Sequence, residues 1–371
     1  MMGIYNFQII DDIEAFKAIH QEIMTNESGT DNIILFNSFE WLGSWWEAYS
    51  TPENSLLVLL CRKDHDLIAL APFYLTTARY YGLPRRMIQF IATGNSDRGD
   101  IIYLKDLDEH FFEEMLEYLS AQVKWDVLSL REIPENSPLI IWANKYSMAH
   151  VEKDSDCPYI PFDKGVTVES FRLGVSKKLR REFSNMFNRL KKEGEHKFVH
   201  RMLQAPDDPL LVKLKEIEQQ SSKASGDIHL VFSPQKNFLF QQLLLKNLFP
   251  KVKVMLTSIE LNREIVSYLY GFIFRDVYHA YNMAYLPEYA RFSPGKLNMQ
   301  EAIDECIRMN LKEFDFLRGN SYIKSKWADQ ARPQYHLTIF RKSLLNRIHS
   351  WLIFSIRPAV KKTITAYKHN K

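Results

Sequence analysis

The sequence predicts a mixed α/β fold in two halves, and three observations carry that prediction. Residues 252–260, 265–275 and 277–283 read as three consecutive strands joined by short turns. A helix over 295–309 and a short strand over 313–317 follow them. Helical segments also precede these strands, an order that argues against a simple doubly wound parallel sheet. A chain of 371 residues matches two domains at roughly 100–200 residues each.

From the N-terminus, Ser38 suits an N-cap and opens a helix over 38–49, with Trp41, Trp45 and Trp46 on its core face. Residues 56–62 and 67–75 are apolar runs split by Lys63-Asp64-His65-Asp66, which reads as a hairpin turn. Strands are predicted at 87–91, 100–104 and 126–130, with a helix over 109–123 between the last two. Residues 152–166, rich in Pro, Asp and Gly, mark a hinge. The predicted domains therefore run 1–155 and 156–340, with 341–371 as a separate tail. Past the hinge, a helix over 169–193 carries the apolar stripe Val175, Leu179, Phe183, Phe187 and Leu190. Around it stand Lys177, Lys178, Arg180, Arg181, Lys191 and Lys192, which can neutralise phosphates, a polyanionic acceptor or a membrane surface. Helices at 209–222 and 235–248, a helical turn at 322–327 and a strand at 335–340 complete the order.

Composition narrows the function classes. Apolar residues make up 46% of the chain and charged residues 25%, enough to bury a core, which excludes a disordered chain. A net charge of +3 gives no reason to expect nucleic acid as a partner. Cys61, Cys157 and Cys306 are far apart, so neither a disulfide framework nor a zinc site is expected, and a reducing compartment is. The N-terminal residues lack the basic start and apolar run of a signal peptide, and no stretch has the ~18 apolar residues of a membrane span. A cytoplasmic protein is expected. Residues 332–371 hold nine Lys/Arg and no Asp/Glu, so the rest of the chain is net negative. Within that tail Leu344, Leu345, Ile348, Trp351, Leu352 and Ile356 recur at helical spacing, as in a helix lying on an anionic membrane or docked on protein. The first of these readings makes the protein peripheral on the inner face of the plasma membrane.

The common phosphate-loop, dinucleotide, zincin and nucleophile-elbow motifs are absent from the sequence. Arg291-Phe-Ser-Pro-Gly295-Lys296 stands out at a strand–loop–helix junction. Ser293 suits the N-cap, Pro294 the first helical position, and Gly295 close approach of a ligand to the backbone. With Arg291 and Lys296 beside a positive helix end, the stretch suits a pyrophosphate; the alternative is an ordinary capped helix.

Four stretches, in order, resemble the CelD/BcsL-type acetyltransferase branch of the GNAT acyl-CoA N-acyltransferase superfamily, associated with cellulose and exopolysaccharide biosynthesis. They are FNSFEWLGSWWEAY at 36–49, LIALAPFYL at 67–75, CPYIPF through KKLRREFSNMFNRLKKEG at 157–194, and YARFSPGKLNMQEAI through EFDFLRGNSYIKSKWA at 289–328. Against the usual GNAT loop, Q/R-x-x-G-x-G/A, the chain has one extra residue between Arg291 and Gly295 and no second glycine. The resemblance implies two GNAT-like halves, as in Fem-type aminoacyl transferases, each a mostly antiparallel sheet flanked by helices. It implies acyl-CoA as co-substrate, held mainly by the second half, with no metal and no covalently bound cofactor.

The same resemblance points to the residues after the candidate donor helix. Tyr322 would protonate the departing thiolate, Asp315 would activate or orient the acceptor, and His279 is a further candidate base. Arg318 and Lys324 would bind substrate, and Asp97 and Asp100 in the first half would contact a sugar or amine acceptor. Each of these residues also has a structural reading, as a loop cap, an ion-pair partner or a core residue. The expected activity is acyl transfer to a saccharide, amine or lipid acceptor of the cell envelope. The alternatives are a lipid or amino-acid N-acyltransferase, a Fem-like aminoacyl transferase, and a non-catalytic scaffold for a polysaccharide-synthesis partner.

Overall fold

Strand pairing in this chain is set by two-residue turns. Asp64-His65, Tyr81-Gly82, Asn262-Arg263 and Arg275-Asp276 each have both residues at positive φ, the conformation that matches the twist of a tight hairpin. The computed structural model describes residues 5–25, 33–108, 110–203, 205–206, 209–225, 230–248, 252–319 and 323–356. They divide into two units, one of residues 1–42, 50–154 and 334–371, the other of 43–49 and 155–333.

The first unit contains β1 (Asn6–Ile10), α1 (Ile13–Thr25), the start of α2 (Phe39–Tyr49), β2 (Ser55–Lys63), β3 (Asp66–Tyr80), β4 (Leu83–Phe90), β5 (Ile102–Tyr103), α3 (Phe111–Gln122), β6 (Val127–Pro134), α4 (Pro138–Ala143) and the first residues of β7 (Ala149–Pro161). Ser38 caps α2 as the sequence predicts, accepting from the Trp41 N–H at 3.3 Å. β2 turns into β3 at the predicted Asp64-His65. β1 to β4 form an antiparallel meander, and β6 runs parallel to β4. Phe111, Met115 and Leu119 of α3 and Leu139 and Ile140 of α4 cover this sheet.

The second unit takes the rest of α2 and β7, then α5 (Val168–Gly174), α6 (Lys177–Leu190), β8 (His196–Leu203), α7 (Pro209–Gln220), α8 (Gln235–Leu248), β9 (Lys253–Leu261), β10 (Glu264–Phe274), β11 (Val277–Tyr285), α9 (Pro294–Arg308) and β12 (Glu313–Asp315). Its strand order is β7-β12-β11-β10-β9-β8, antiparallel except for the parallel pair β11–β12. Met299, Ala302, Ile303 and Cys306 of α9 pack on Tyr278 and Phe314 of the sheet. Leu179, Phe183, Met186 and Leu190 bury the apolar stripe of α6 against Ile259, Phe292 and Leu297.

Three sequence expectations are corrected. The stretch read as a hinge is strand β7 as far as Pro161, held by pairing with β12. The helix expected over 169–193 is two helices: Val175 is extended, and Ser176 restarts the chain as the N-cap of α6, accepting from the Leu179 N–H. The last strand, β13 (Gln330–Phe340), pairs with β6, so its residues from Gln334 onward lie in the first unit. Ladder pairing outweighs closeness along the chain.

After β13, α10 (Leu344–Trp351) is amphipathic in the reverse sense from a docked core helix. Its polar residues Asn346 and His349 are buried. The Asn346 side-chain N–H donates to the carbonyls of Asp126 (3.2 Å) and Arg341 (3.1 Å), and Arg85 Nε donates to His349 Nδ1 (3.2 Å). Its apolar residues face outward: Leu344 is 74%, Leu345 73% and Trp351 56% exposed.

One glycine constrains the second sheet through space rather than φ. A Cβ on Gly271 of β10 would lie 2.4 Å from the His279 carbonyl oxygen and 2.6 Å from the Tyr278 hydroxyl. Backbone must move to admit it. Gly271→Ala is therefore expected to lower stability by about 1–3 kcal/mol, read as a lower midpoint of thermal unfolding. An unchanged midpoint would show that β10 and β11 are not packed this closely.

Candidate functional site

An extra residue in β11 shapes the centre of the second unit. Tyr270 pairs with Asn282 and Gly271 with Ala280, so Tyr281 has no opposite residue. Such a bulge reverses the alternation of side chains along the strand. His279 and Asn282, three residues apart, therefore share one face, while Tyr278, Ala280 and Met283 share the other with α9.

His279 meets Asp315 on that face. They are register partners in the β11–β12 pair, and His279 Nδ1 lies 3.5 Å from Asp315 Oδ2. Both are buried, Asp315 completely. Asp315 Oδ1 also accepts from the Leu317 N–H at 2.8 Å, so the carboxylate shapes the loop that follows as well as backing the imidazole. The two groups stand opposite each other across the parallel pair, an acid and an imidazole buried on one face.

A second polar group on the same face was not found from the sequence. Glu218 of α7 is fully buried and accepts from the N–H groups of Val231 (2.9 Å) and Phe232 (2.7 Å) and from the Asn282 amide (2.8 Å). The Lys223 ammonium donates to Asn282 Oδ1 at 2.6 Å, and Asn282 reaches Tyr268 Oη at 3.0 Å. Burial lowers the Lys223 pKa, against the pull of Glu218. One signal was available: Glu218 falls on the stripe of Leu211, Leu214 and Ile217, where an acid needs buried partners.

The loop after β12 assigns Lys324 differently from the sequence reading. Its ammonium donates to the carbonyls of Phe316 (2.8 Å), Leu317 (3.3 Å) and Arg318 (2.7 Å). These three bonds make Lys324 a staple of the loop. Arg318 lies half-buried on that loop. Tyr322 lies outside the described residues.

The start of α9 departs from its expected chemistry. Ser293 is left-handed, at φ 52° and ψ 51°, and its side chain makes no cap bond. At Gly295 a Cβ would stand 3.1 Å from Met283 Sδ, so this glycine lets the helix approach the sheet. Lys296 and Lys326 both bind Glu182 of α6, at 2.5 and 3.3 Å, and hold its carboxyl below the usual range. Arg291 pairs with Glu193 at 2.8 Å on the surface. Lys177, Lys178, Arg180, Arg181, Lys191 and Lys192 of α6 and its C-terminal end are exposed, and α6 packs beside the start of α9.

In the first unit the structure separates the two aspartates of the 94–100 loop. Asp97 is buried, with its carbonyl taking the Gln334 amide. Asp100 lines a cavity of about 950 Å³ with Arg98, Tyr103 and Ser137. Among the described residues no group of three or more His, Cys, Asp or Glu is placed to hold a metal ion. No described helix is long and apolar enough to cross a membrane.

Residues 177–325 match the family described as the acetyltransferase (GNAT) domain, a span that holds α6 to β12. No curated protein matches the chain. Among solved structures the chain is similar to FemX, at 9% identity and a TM-score of 0.57, covering 92% of this chain and 99% of that one. A tandem GNAT protein from the clavulanic acid biosynthesis pathway gives 10% identity and a TM-score of 0.52, covering 91% and 99%. A conserved protein of unknown function from Bacteroides thetaiotaomicron gives 11% and 0.51, covering 90% and 100%. At these identities the likeness is one of fold: the chain has the mixed α/β fold of the tandem GNAT protein and FemX.

The staple role of Lys324 can be measured. Hydrogen bonds to a charged group contribute about 1.5–3 kcal/mol, so Lys324→Met should lower stability by roughly 2 kcal/mol. Amide hydrogen exchange over 316–319 should rise with it. Slow exchange in the variant would show that the loop does not depend on Lys324.

Proposed function

We propose that the protein is an acyl-CoA-dependent acyltransferase whose chemistry is done in the second unit. The observation that carries this reading is the match of residues 177–325 to the acetyltransferase (GNAT) domain. Two features of that span support it. The exposed cations of α6 lie beside the start of α9, where CoA phosphates would be neutralised by Arg291, the α6 lysines and arginines, and the helix end. His279 and Asp315 form a buried base–carboxylate pair on β11 and β12.

In the proposed reaction an amine or hydroxyl of the acceptor attacks the thioester carbonyl directly. Its proton passes to His279, which stands opposite Asp315 in the β11–β12 pair. The new C–N or C–O bond forms, the C–S bond breaks, and the CoA thiolate takes a proton, for which Tyr322 is the proposed donor. No covalent enzyme intermediate is needed, and positioning of the two reactants supplies much of the rate. The proposed acceptor is a saccharide or another cell-envelope precursor, in line with the CelD/BcsL-type resemblance. Free-thiol release from acetyl-CoA and longer acyl-CoAs, with sugar, amine and lipid acceptors, tests the reading. His279→Ala should lower kcat by ~10²–10⁴-fold, while Arg291→Ala should raise KM for acyl-CoA and leave kcat near its value. Absence of acyl-CoA binding and turnover with every acceptor would leave the scaffold reading in its place.

We further propose that the protein sits on the inner face of the plasma membrane through α10. The reversed helix supports this: it is held by Asn346 and His349 and turns Leu344, Leu345, Ile348 and Trp351 outward. Residues 332–371 add nine cations and no acid, a charge pattern that suits anionic lipid. Full-length protein should sediment with phosphatidylglycerol vesicles at low salt and be released at high salt. Leu345→Glu with Trp351→Glu should abolish sedimentation and leave acyl transfer to a soluble acceptor intact. Equal sedimentation of the two proteins would sink this placement.

A further inference from the structure

We infer that the first unit carries a ligand site of its own, the cavity at Asp100, built for a neutral polyhydroxylated ligand of the saccharide class. The ligand is of the same class as the acceptor proposed for acyl transfer, and its binding is tested without acyl-CoA, so that failure of either reading leaves the other standing. The centre of the site is a carboxyl with two different oxygens. Oδ1 accepts three hydrogen bonds, from the Ile101 N–H (2.8 Å), the Ser137 hydroxyl (2.8 Å) and the Tyr103 hydroxyl (3.1 Å). Oδ2 receives none from the described residues, and the side chain lines the cavity of about 950 Å³. A carboxyl clamped through one oxygen presents the other in a fixed direction. A purely structural aspartate would be expected to use both.

The lining selects the ligand by charge. Arg98 and Lys105 on the wall disfavour a cation, and Lys105 is itself bound to Asp66. Asp106 and Asp100 disfavour an anion. The rest of the wall mixes the amides and hydroxyls of Asn37, Asn136, Ser137 and Tyr103 with apolar side chains, around a carboxyl that no cation among the described residues pairs with. Burial pushes the Asp100 pKa up to about 7, although the bonds from Ser137, Ile101 and Tyr103 pull it down. Near neutral pH the group can therefore give or take a proton at Oδ2. Vicinal hydroxyls, each a donor and an acceptor, match such a lining; a volume of this size admits a disaccharide.

Saturation-transfer NMR on the full chain tests the site, with maltose and cellobiose as neutral probes and glucosamine and glucuronate as charged ones. Neutral disaccharides should show transfer, and the charged sugars much less. Affinity should be several-fold higher at pH 8 than at pH 6, because a hydroxyl donates more strongly to a carboxylate than to a carboxylic acid. Asp100→Asn keeps an acceptor for the three clamping bonds and should lose both the pH dependence and at least tenfold in affinity. Asn136→Trp, at the exposed rim, should block entry with the fold intact. Transfer from none of the neutral sugars overturns the proposal, as does transfer that survives both substitutions unchanged.

Discussion

The second unit depends on one extra residue in the register of a strand. Without Tyr281 as an extra member of β11, His279 and Asn282 would point to opposite faces of the sheet. One would then enter the apolar layer under α9, where Met299, Ile303 and Cys306 offer it no partner. With the bulge, His279 and Asn282 gather on one side and Tyr278, Ala280 and Met283 on the other. Gly271 is the matching requirement on β10, because only a residue without a Cβ fits against the His279 carbonyl and Tyr278 ring. The site and the core are thus separated by backbone geometry before any side-chain chemistry is considered.

Charge is distributed by the same economy of partners. Several cations of the second unit, Lys296 and Lys324 of the sequence reading among them, are already engaged by the protein. Lys324 is held by three carbonyls, Lys296 and Lys326 share Glu182, and Arg172 of α5 binds Asp304 of α9. Each of these ties a helix or loop to its neighbour, and each leaves less charge to meet a ligand. The exposed residues of α6 are a different set, standing outward on a helix whose other side is fully apolar. Amphipathicity here divides labour between packing and electrostatics.

Much of the fold was legible because it follows from local rules. Lys63-Asp64-His65-Asp66 announced a hairpin, Ser38 announced α2, and the three-strand run before α9 was found almost residue for residue. Strand β7 was hidden by its composition: it is mostly half-exposed and rich in acids, and pairing rather than apolar alternation makes it a strand. The break at Val175-Ser176 was hidden because the apolar spacing continues across it. His279 and Asp315 were legible as chemical types but not as neighbours, since the β11–β12 register that joins them spans 36 residues of sequence. Glu218 and Asn282 were missed altogether, one inside an apolar stripe and the other displaced to its face by the bulge.

The return of the chain at β13 has a consequence for the order of assembly during synthesis. β6 gains its antiparallel neighbour from residues 334–340, whereas the second unit ends at residue 333. As the chain emerges from the ribosome, the later unit can close while the earlier one still lacks an interior strand. Until then β6 exposes an open hydrogen-bonding edge, the feature through which nascent chains misassociate. For this protein the N-terminal half is the last to be finished.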